Sequence, residues 1–112
     1  RAATVVQTKV AKNGGIWYTR KLWSIADAAG MRIYPGNHPC TSIATASVAH
    51  LAAAWPAPLL AGPFSAGVAG GISQDVVTEP IRLEGNLVRV AETPGLGLTL
   101  DEDKIRTLRV TI

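Results

Sequence analysis

Along the first half of the chain the spacing of apolar residues switches from strand-like to helix-like, and then does so again. Thr4 to Lys9 (TVVQTK) is short and rich in β-branched residues, which favour a pleated conformation. Alternation puts Val5, Gln7 and Lys9 on one face and Thr4, Val6 and Thr8 on the other. Asn13-Gly14-Gly15 breaks the chain, and a helix is predicted after it. Its apolar stripe is Tyr18, Leu22, Ile25, Ala26 and Ala29. Gly30 stands where a left-handed residue closes such a helix.

Met31 to Tyr34 (MRIY) predicts a second strand, followed by a loop at Pro35-Gly36-Asn37-His38-Pro39. Thr41 or Ser42 is placed to cap a second helix running from Ile43 to about Trp55. Ile43, Ala46, Ser47, His50, Leu51 and Ala54 form its expected stripe, and Pro56 and Pro58 end it. Leu59 to Ala61 is a third short strand before Gly62-Pro63.

Strand, helix, strand, helix, strand is the order of an α/β unit, and helices of crossover length imply parallel strands. Loops after Lys9, Tyr34 and Ala61 would then open on one edge of the sheet. The remainder differs in character. Asp75 to Thr78 and Leu87 to Val90 are strand-like, with a turn at Glu84-Gly85-Asn86 between them. Pro94-Gly95-Leu96-Gly97 is a second turn, and Asp101 to Arg106 a short charged terminal segment. The expected division is 1–74 for the α/β part and 75–112 for an appendage packed on it. Three parallel strands with open flanks do not close a sheet, and the chain enters its first strand almost at once from Arg1. A preceding portion that completes it is therefore expected.

Composition narrows the function classes. With 112 residues, 47% apolar and 17% charged, the chain can bury a core. The net charge of +3 comes from basic residues scattered without a run, which argues against a nucleic-acid surface. Proline and glycine break the one long apolar stretch, so no membrane span is expected, and no leader pattern precedes the first strand. A single cysteine, Cys40, cannot form an internal disulfide, and a reducing, cytoplasmic setting is the default.

Most conspicuous side chains have plain readings. Trp17, Trp23 and Trp55 are packing or interface residues, and His50, on the core stripe, is a hydrogen-bonded structural histidine. Cys40 is a small buried side chain with no partner implied by spacing, and Gly14-Gly15 serves close packing at the strand–helix turn. Without its neighbours, Lys9 would be an ordinary strand-end lysine reaching to solvent.

The neighbours change that reading. Lys9-Val10-Ala11-Lys12-Asn13-Gly14-Gly15 is followed in order by Ile25-Ala26-Asp27-Ala28-Ala29-Gly30, Ser42-Ile43-Ala44-Thr45 with Ala49-His50, Gly62-Pro63, and Thr93 to Glu102 (TPGLGLTLDE). This series resembles the last third of the mandelate racemase and muconate lactonizing family of the enolase superfamily, and within it the muconate cycloisomerases most. Such a likeness implies the C-terminal part of a (β/α)8 barrel. Thr4–Lys9, Met31–Tyr34 and Leu59–Ala61 would be its last three strands, and the segment from Asp75 a contribution to the capping domain.

The resemblance also implies an isomerase that passes through an enolate-like intermediate of a small carboxylate substrate, with lysines as acid and base and Mg2+ or Mn2+ as the metal. It assigns Lys9 to catalysis and Gln7, His38, Cys40 and Leu59 to substrate contact. Metal ligands and the partner lysine of the family would precede Arg1, so the segment by itself is expected to be inactive. Many relatives carry a glutamate where Cys40 stands, and muconate cycloisomerases one where Leu59 stands, which points to altered substrate contacts. A homo-oligomer is the expected assembly. Alternatives within the superfamily are a dipeptide or N-acylamino acid epimerase or racemase and an o-succinylbenzoate synthase. Outside catalysis, the alternative is a fragment acting as an assembly module.

Overall fold

Residues 2–37, 40–56, 61 and 72–110 are described by the computed structural model. The elements run β1 (Val5–Thr8), α1 (Ile16–Ala28), β2 (Arg32–Pro35), α2 (Ser42–Ala53), β3 (Leu83–Glu84), β4 (Leu87–Val88) and α3 (Glu102–Leu108). β1 and β2 pair in parallel, from Val5 opposite Arg32 to Thr8 opposite Pro35, with α1 as the crossover. Of the third strand expected at Leu59–Ala61, only Ala61 lies among the described residues. Its N–H donates to the Ile33 carbonyl at 2.5 Å.

The face reading of β1 matches the structure. Thr8 is buried and Val6 half-buried under the helices, whereas Val5 and Gln7 lie exposed on the other side. α1 begins directly after Gly15 and ends in two bonds that wrap its C-terminus. Gly30 N–H donates to Asp27 O and Met31 N–H to Ala26 O, with Gly30 at φ 64°, the left-handed region glycine adopts without steric cost.

The stripe expected on α1 is displaced. Thr19, Trp23 and Ala26 are the buried residues, while Tyr18, Leu22 and Ile25 are exposed. Two polar groups went inside because each has a partner there. Thr19 Oγ1 donates to Gly15 O at 2.8 Å, and Trp23 Nε1 donates to Thr8 Oγ1 at 2.7 Å. A buried donor that keeps its hydrogen bond avoids the desolvation cost that would otherwise hold it at the surface.

α2 is buried around most of its circumference, not along one stripe. Ala46 and Leu51 are buried as expected, but so are Ser42, Thr45, Val48 and Ala49, and Ala54 is exposed. Its small residues let the helix sit close to its neighbours. The hydroxyl of Ser47 is satisfied by donating to Ile43 O.

The core of this unit is Trp23, Ala26, Ile33 and Leu51, with Val6, Val10, Met31 and Trp55 packed against it. Trp23 meets Trp55 edge to face, with ring centroids 5.4 Å apart and planes at 82°, a favoured aromatic geometry. A tryptophan buries roughly 150–250 Å², so at about 25 cal/mol per Å² Trp23 alone contributes about 4–6 kcal/mol as an upper figure.

The second half pairs differently from expectation. The turn at Gly85-Asn86 joins Leu83–Glu84 to Leu87–Val88 in a short antiparallel hairpin. Asp75–Thr78 is not its partner; Val77 instead forms an antiparallel bridge with Leu100. Thr78 N–H donates to Thr99 O at 3.0 Å and Asp101 N–H to Val76 O at 2.9 Å on either side of that bridge. The charged terminal segment is α3, capped by the Asp101 carboxylate, which accepts from Lys104 N–H at 3.0 Å. None of its residues is buried. Among the described residues no helix is long and apolar enough to cross a membrane.

Candidate functional site

Lys9 is the first residue past the C-terminal end of β1. Its carbonyl accepts from both Lys12 N–H and Asn13 N–H, at 2.9 and 3.0 Å, which turns the chain away from the strand at once. The turn that starts at Lys9 runs through Val10, Ala11 and Lys12 into the Asn13-Gly14-Gly15 break, which leads into α1. Half-buried, Lys9 lines a cavity of about 330 Å³. Val10, Ala11, Ile43, Ala44 and Val48 supply most of its aliphatic wall, and Asn37, Cys40, Thr41 and Ser47 its polar edge.

Two of the expected site residues, Lys9 and Cys40, therefore share one cavity. Cys40 is half-buried, with Sγ 3.6 Å from Thr45 Oγ1. Thr45 is fully buried and also receives the Asn37 side-chain amide at 3.4 Å. Gln7 lies at the same end of β1 but outside that cavity, against the backbone of Gly36. A Cβ at position 36 would come within 2.9 Å of both Gln7 Nε2 and Thr8 O, so only glycine lets the two chains approach so closely. Gly36 N–H completes the contact by donating to Thr8 O at 2.8 Å. His38 and Leu59, the other two expected contacts, lie outside the described residues.

Sequence reading missed Asn37, Ile43 and Ser47 as cavity residues. It also missed Asp75, whose carboxylate holds the start of α2 from far along the chain. No local pattern marks it: the bond joins residues separated by more than thirty positions, and Thr41, the N-cap, makes no side-chain cap bond of its own. His50 does what was expected of it, with Nε2 donating to Leu96 O at 3.3 Å. The bond pins the Pro94–Gly97 turn to α2.

Charge is arranged more simply elsewhere. In the hairpin, the Arg89 guanidinium holds the Glu84 carboxyl below the usual carboxylate range through its hydrogen bond. The Lys104 amide does the same for Asp101. Among the described residues no three His, Cys, Asp or Glu side chains come together to hold a metal ion. These residues do not fit the Mg2+ or Mn2+ implied by resemblance.

The model of the enolase C-terminal domain-like family matches residues 1–104. Muconate cycloisomerase 1-1 of Acinetobacter lwoffii is 32% identical over 109 residues, covering 93% of this chain and 27% of that protein. A chloromuconate cycloisomerase of Cupriavidus pinatubonensis is 36% identical over 107 residues, covering 94% of this chain and 28% of that one. Among solved structures, the muconate lactonizing enzyme from Pseudomonas putida superposes with a TM-score of 0.76 at 31% identity, over 95% of this chain and 29% of that one. The chain thus spans 27 to 29% of the length of these relatives.

Proposed function

Because the chain belongs to the enolase C-terminal domain-like family, with the mandelate racemase and muconate lactonizing enzymes, we propose that it carries one lysine of the acid/base pair of a cycloisomerase. The observation that supports this most is the place of Lys9. It stands where a parallel strand ends, beside the loops that follow the strands, and it lines a cavity. In α/β barrels that end of the strands is where active sites lie. In this reading β1 and β2 are the sixth and seventh strands of a (β/α)8 barrel, and Ala61 belongs to the eighth. The segment from Asp75 contributes to the cap.

The substrate is a small dicarboxylate of the muconate type. One carboxylate oxygen adds to a carbon of the conjugated chain and closes a lactone, which leaves an enolate-like anion next to the other carboxylate. The Lys9 ammonium delivers its proton to the carbon α to that carboxylate, and in reverse the neutral amine removes it. The proton lost from Lys9 is the proton gained by carbon, and solvent returns one proton to the Lys9 amine before the next turnover, so the dianion and one proton give the lactone monoanion. The aliphatic wall of Val10, Ala11, Ile43 and Val48 limits water around the charges and so strengthens their interaction. The divalent cation and the opposite lysine belong to the rest of the enzyme, which assembles as a homo-oligomer. Cys40, in place of an acid, sets the shape and charge of the substrate's surroundings differently from relatives.

The test uses the polypeptide that contains this chain, supplied with Mg2+ or Mn2+ and a muconate. Lys9→Ala is expected to lower kcat by roughly 10²–10⁴-fold, the usual range for loss of a general acid or base, with the fold intact by circular dichroism. Undiminished turnover removes Lys9 from the mechanism. Solvent deuterium entering a substrate α-carbon of an acylated or peptidic amino acid, without lactone, redirects the reading to an epimerase.

A further inference from the structure

The N-terminus of α2 carries free N–H groups and the positive end of the helix dipole, yet its own first turn contains no acidic residue. The acceptor comes from Asp75. Its two carboxylate oxygens lie 3.2 and 3.1 Å from Ser42 N, and Oδ2 also accepts from Ser42 Oγ at 2.5 Å. Ser42 Oγ in turn accepts from Ile81 N–H at 3.0 Å, and Asp75 Oδ1 from Val76 N–H at 2.8 Å. Both side chains are shut off from solvent, with Ser42 at 0% and Asp75 at 8% exposure. Every bond in this buried cluster therefore carries weight in holding the geometry.

Ser42 does not itself line the cavity but is buried in the run that forms its wall. Cys40 and Thr41 precede it, Ile43 and Ala44 follow it, and all four line the cavity that Lys9 enters. We infer that Asp75 is a positioning residue for this site: by fixing Ser42 it holds the Cys40–Ala44 wall at its distance from Lys9. It touches neither Lys9 nor the cavity and acts only through Ser42. The link to catalysis rests on the reading of that cavity as the substrate site, whereas the link to the wall's geometry does not.

Two readouts keep these apart, both in the polypeptide that contains this chain. The first is the rate at which iodoacetamide alkylates Cys40, followed by mass spectrometry of its peptide. Asp75→Ala should raise that rate about tenfold well below the unfolding temperature. Asp75→Asn should leave it within about twofold, because the amide oxygen still accepts from Ser42 N–H and its NH2 can donate to Ser42 Oγ. His50→Ala, which loosens the appendage elsewhere, should leave the rate unchanged. The second readout is muconate turnover, where Asp75→Ala should raise KM more than it lowers kcat, with Asp75→Asn restoring KM. If Asp75→Ala unfolds the protein, Ser42→Ala, which removes the hydroxyl and its bonds to Asp75 and Ile81 while keeping Cβ, should still raise Cys40 alkylation. Unchanged alkylation in folded Asp75→Ala, or an equal rise in His50→Ala, overturns the positioning role. Raised alkylation with a wild-type protein that turns over no muconate leaves it standing and overturns the proposed function instead.

Discussion

The βαβα unit from Val5 to Ala53 and the segment from Ile72 to Val110 are held by different kinds of force. In the first, a continuous core of Trp23, Ala26, Ile33 and Leu51 excludes water, and many small contacts share the load. In the second, Val77 at 0% exposure is the one buried apolar residue among those described, and Asp75 the one buried polar residue. The second segment is tied to the first unit at points: Asp75 to Ser42, Ile81 to Ser42, His50 to Leu96. A core tolerates the loss of one contact by sharing it out, while point attachments fail singly.

That contrast can be broken first in the core. Trp23→Ala removes the largest buried side chain, the edge-to-face contact with Trp55 and the donor to Thr8 together. It is expected to cost about 3–5 kcal/mol in urea unfolding, and a loss below about 1 kcal/mol would mean that the core is not centred there. His50→Ala should cost about 0.5–1.5 kcal/mol. Its effect should appear as faster amide exchange confined to residues near Leu96, without faster exchange in β1 or β2. Exchange rising equally everywhere would show that the two segments unfold as one.

The smallest effect concerns α3, which has no buried residue. Hydrogen bonding by the Lys104 amide holds the Asp101 carboxyl below the ordinary aspartate range. A carboxyl lowered in the folded state adds stability above its unfolded value and loses it as pH falls through the lowered one. The cap should therefore be complete at neutral pH and fade only in acid, below the ordinary aspartate range. Amide exchange at Lys104 and Ile105, measured against pH, should show this fraying, and Asp101→Asn should flatten the profile. A profile that keeps its acid limb in that variant assigns the fraying to another group.

Local pattern made much of the first unit legible. The two strands and two helices stand where period and breakers place them, within a residue or two at the ends, because Gly15 and Gly30 mark the limits of α1 unambiguously. The buried face of α1 was not legible. Hydrophobicity ranks Tyr18, Leu22 and Ile25 above Thr19, but Thr19 bonds the carbonyl of Gly15 in its own helix and so goes inside without penalty. The flanking motif singles out Lys9, and the structure places that residue at the wall of the cavity. Asp75 was not legible, because a cap supplied across the fold leaves no trace at the helix it caps. The same limit explains the hairpin, where Leu83-Glu84 is too short to register as a strand, and the bridge from Val77 to Leu100, which no local pattern marks.

One hydrogen bond has a consequence for how the strand keeps its frame. Val5 and Val6 are identical, so hydrophobic content alone cannot tell the chain which of two adjacent frames to occupy. A slip of one residue would still turn a valine toward the helices. It would also carry Thr8 to the open face, strand the Trp23 N–H without its acceptor at a cost of about 1–3 kcal/mol, and move Lys9 off its place at the cavity. The Thr8 hydroxyl, which meets no substrate, thus proofreads the placement of the lysine that does the chemistry proposed above.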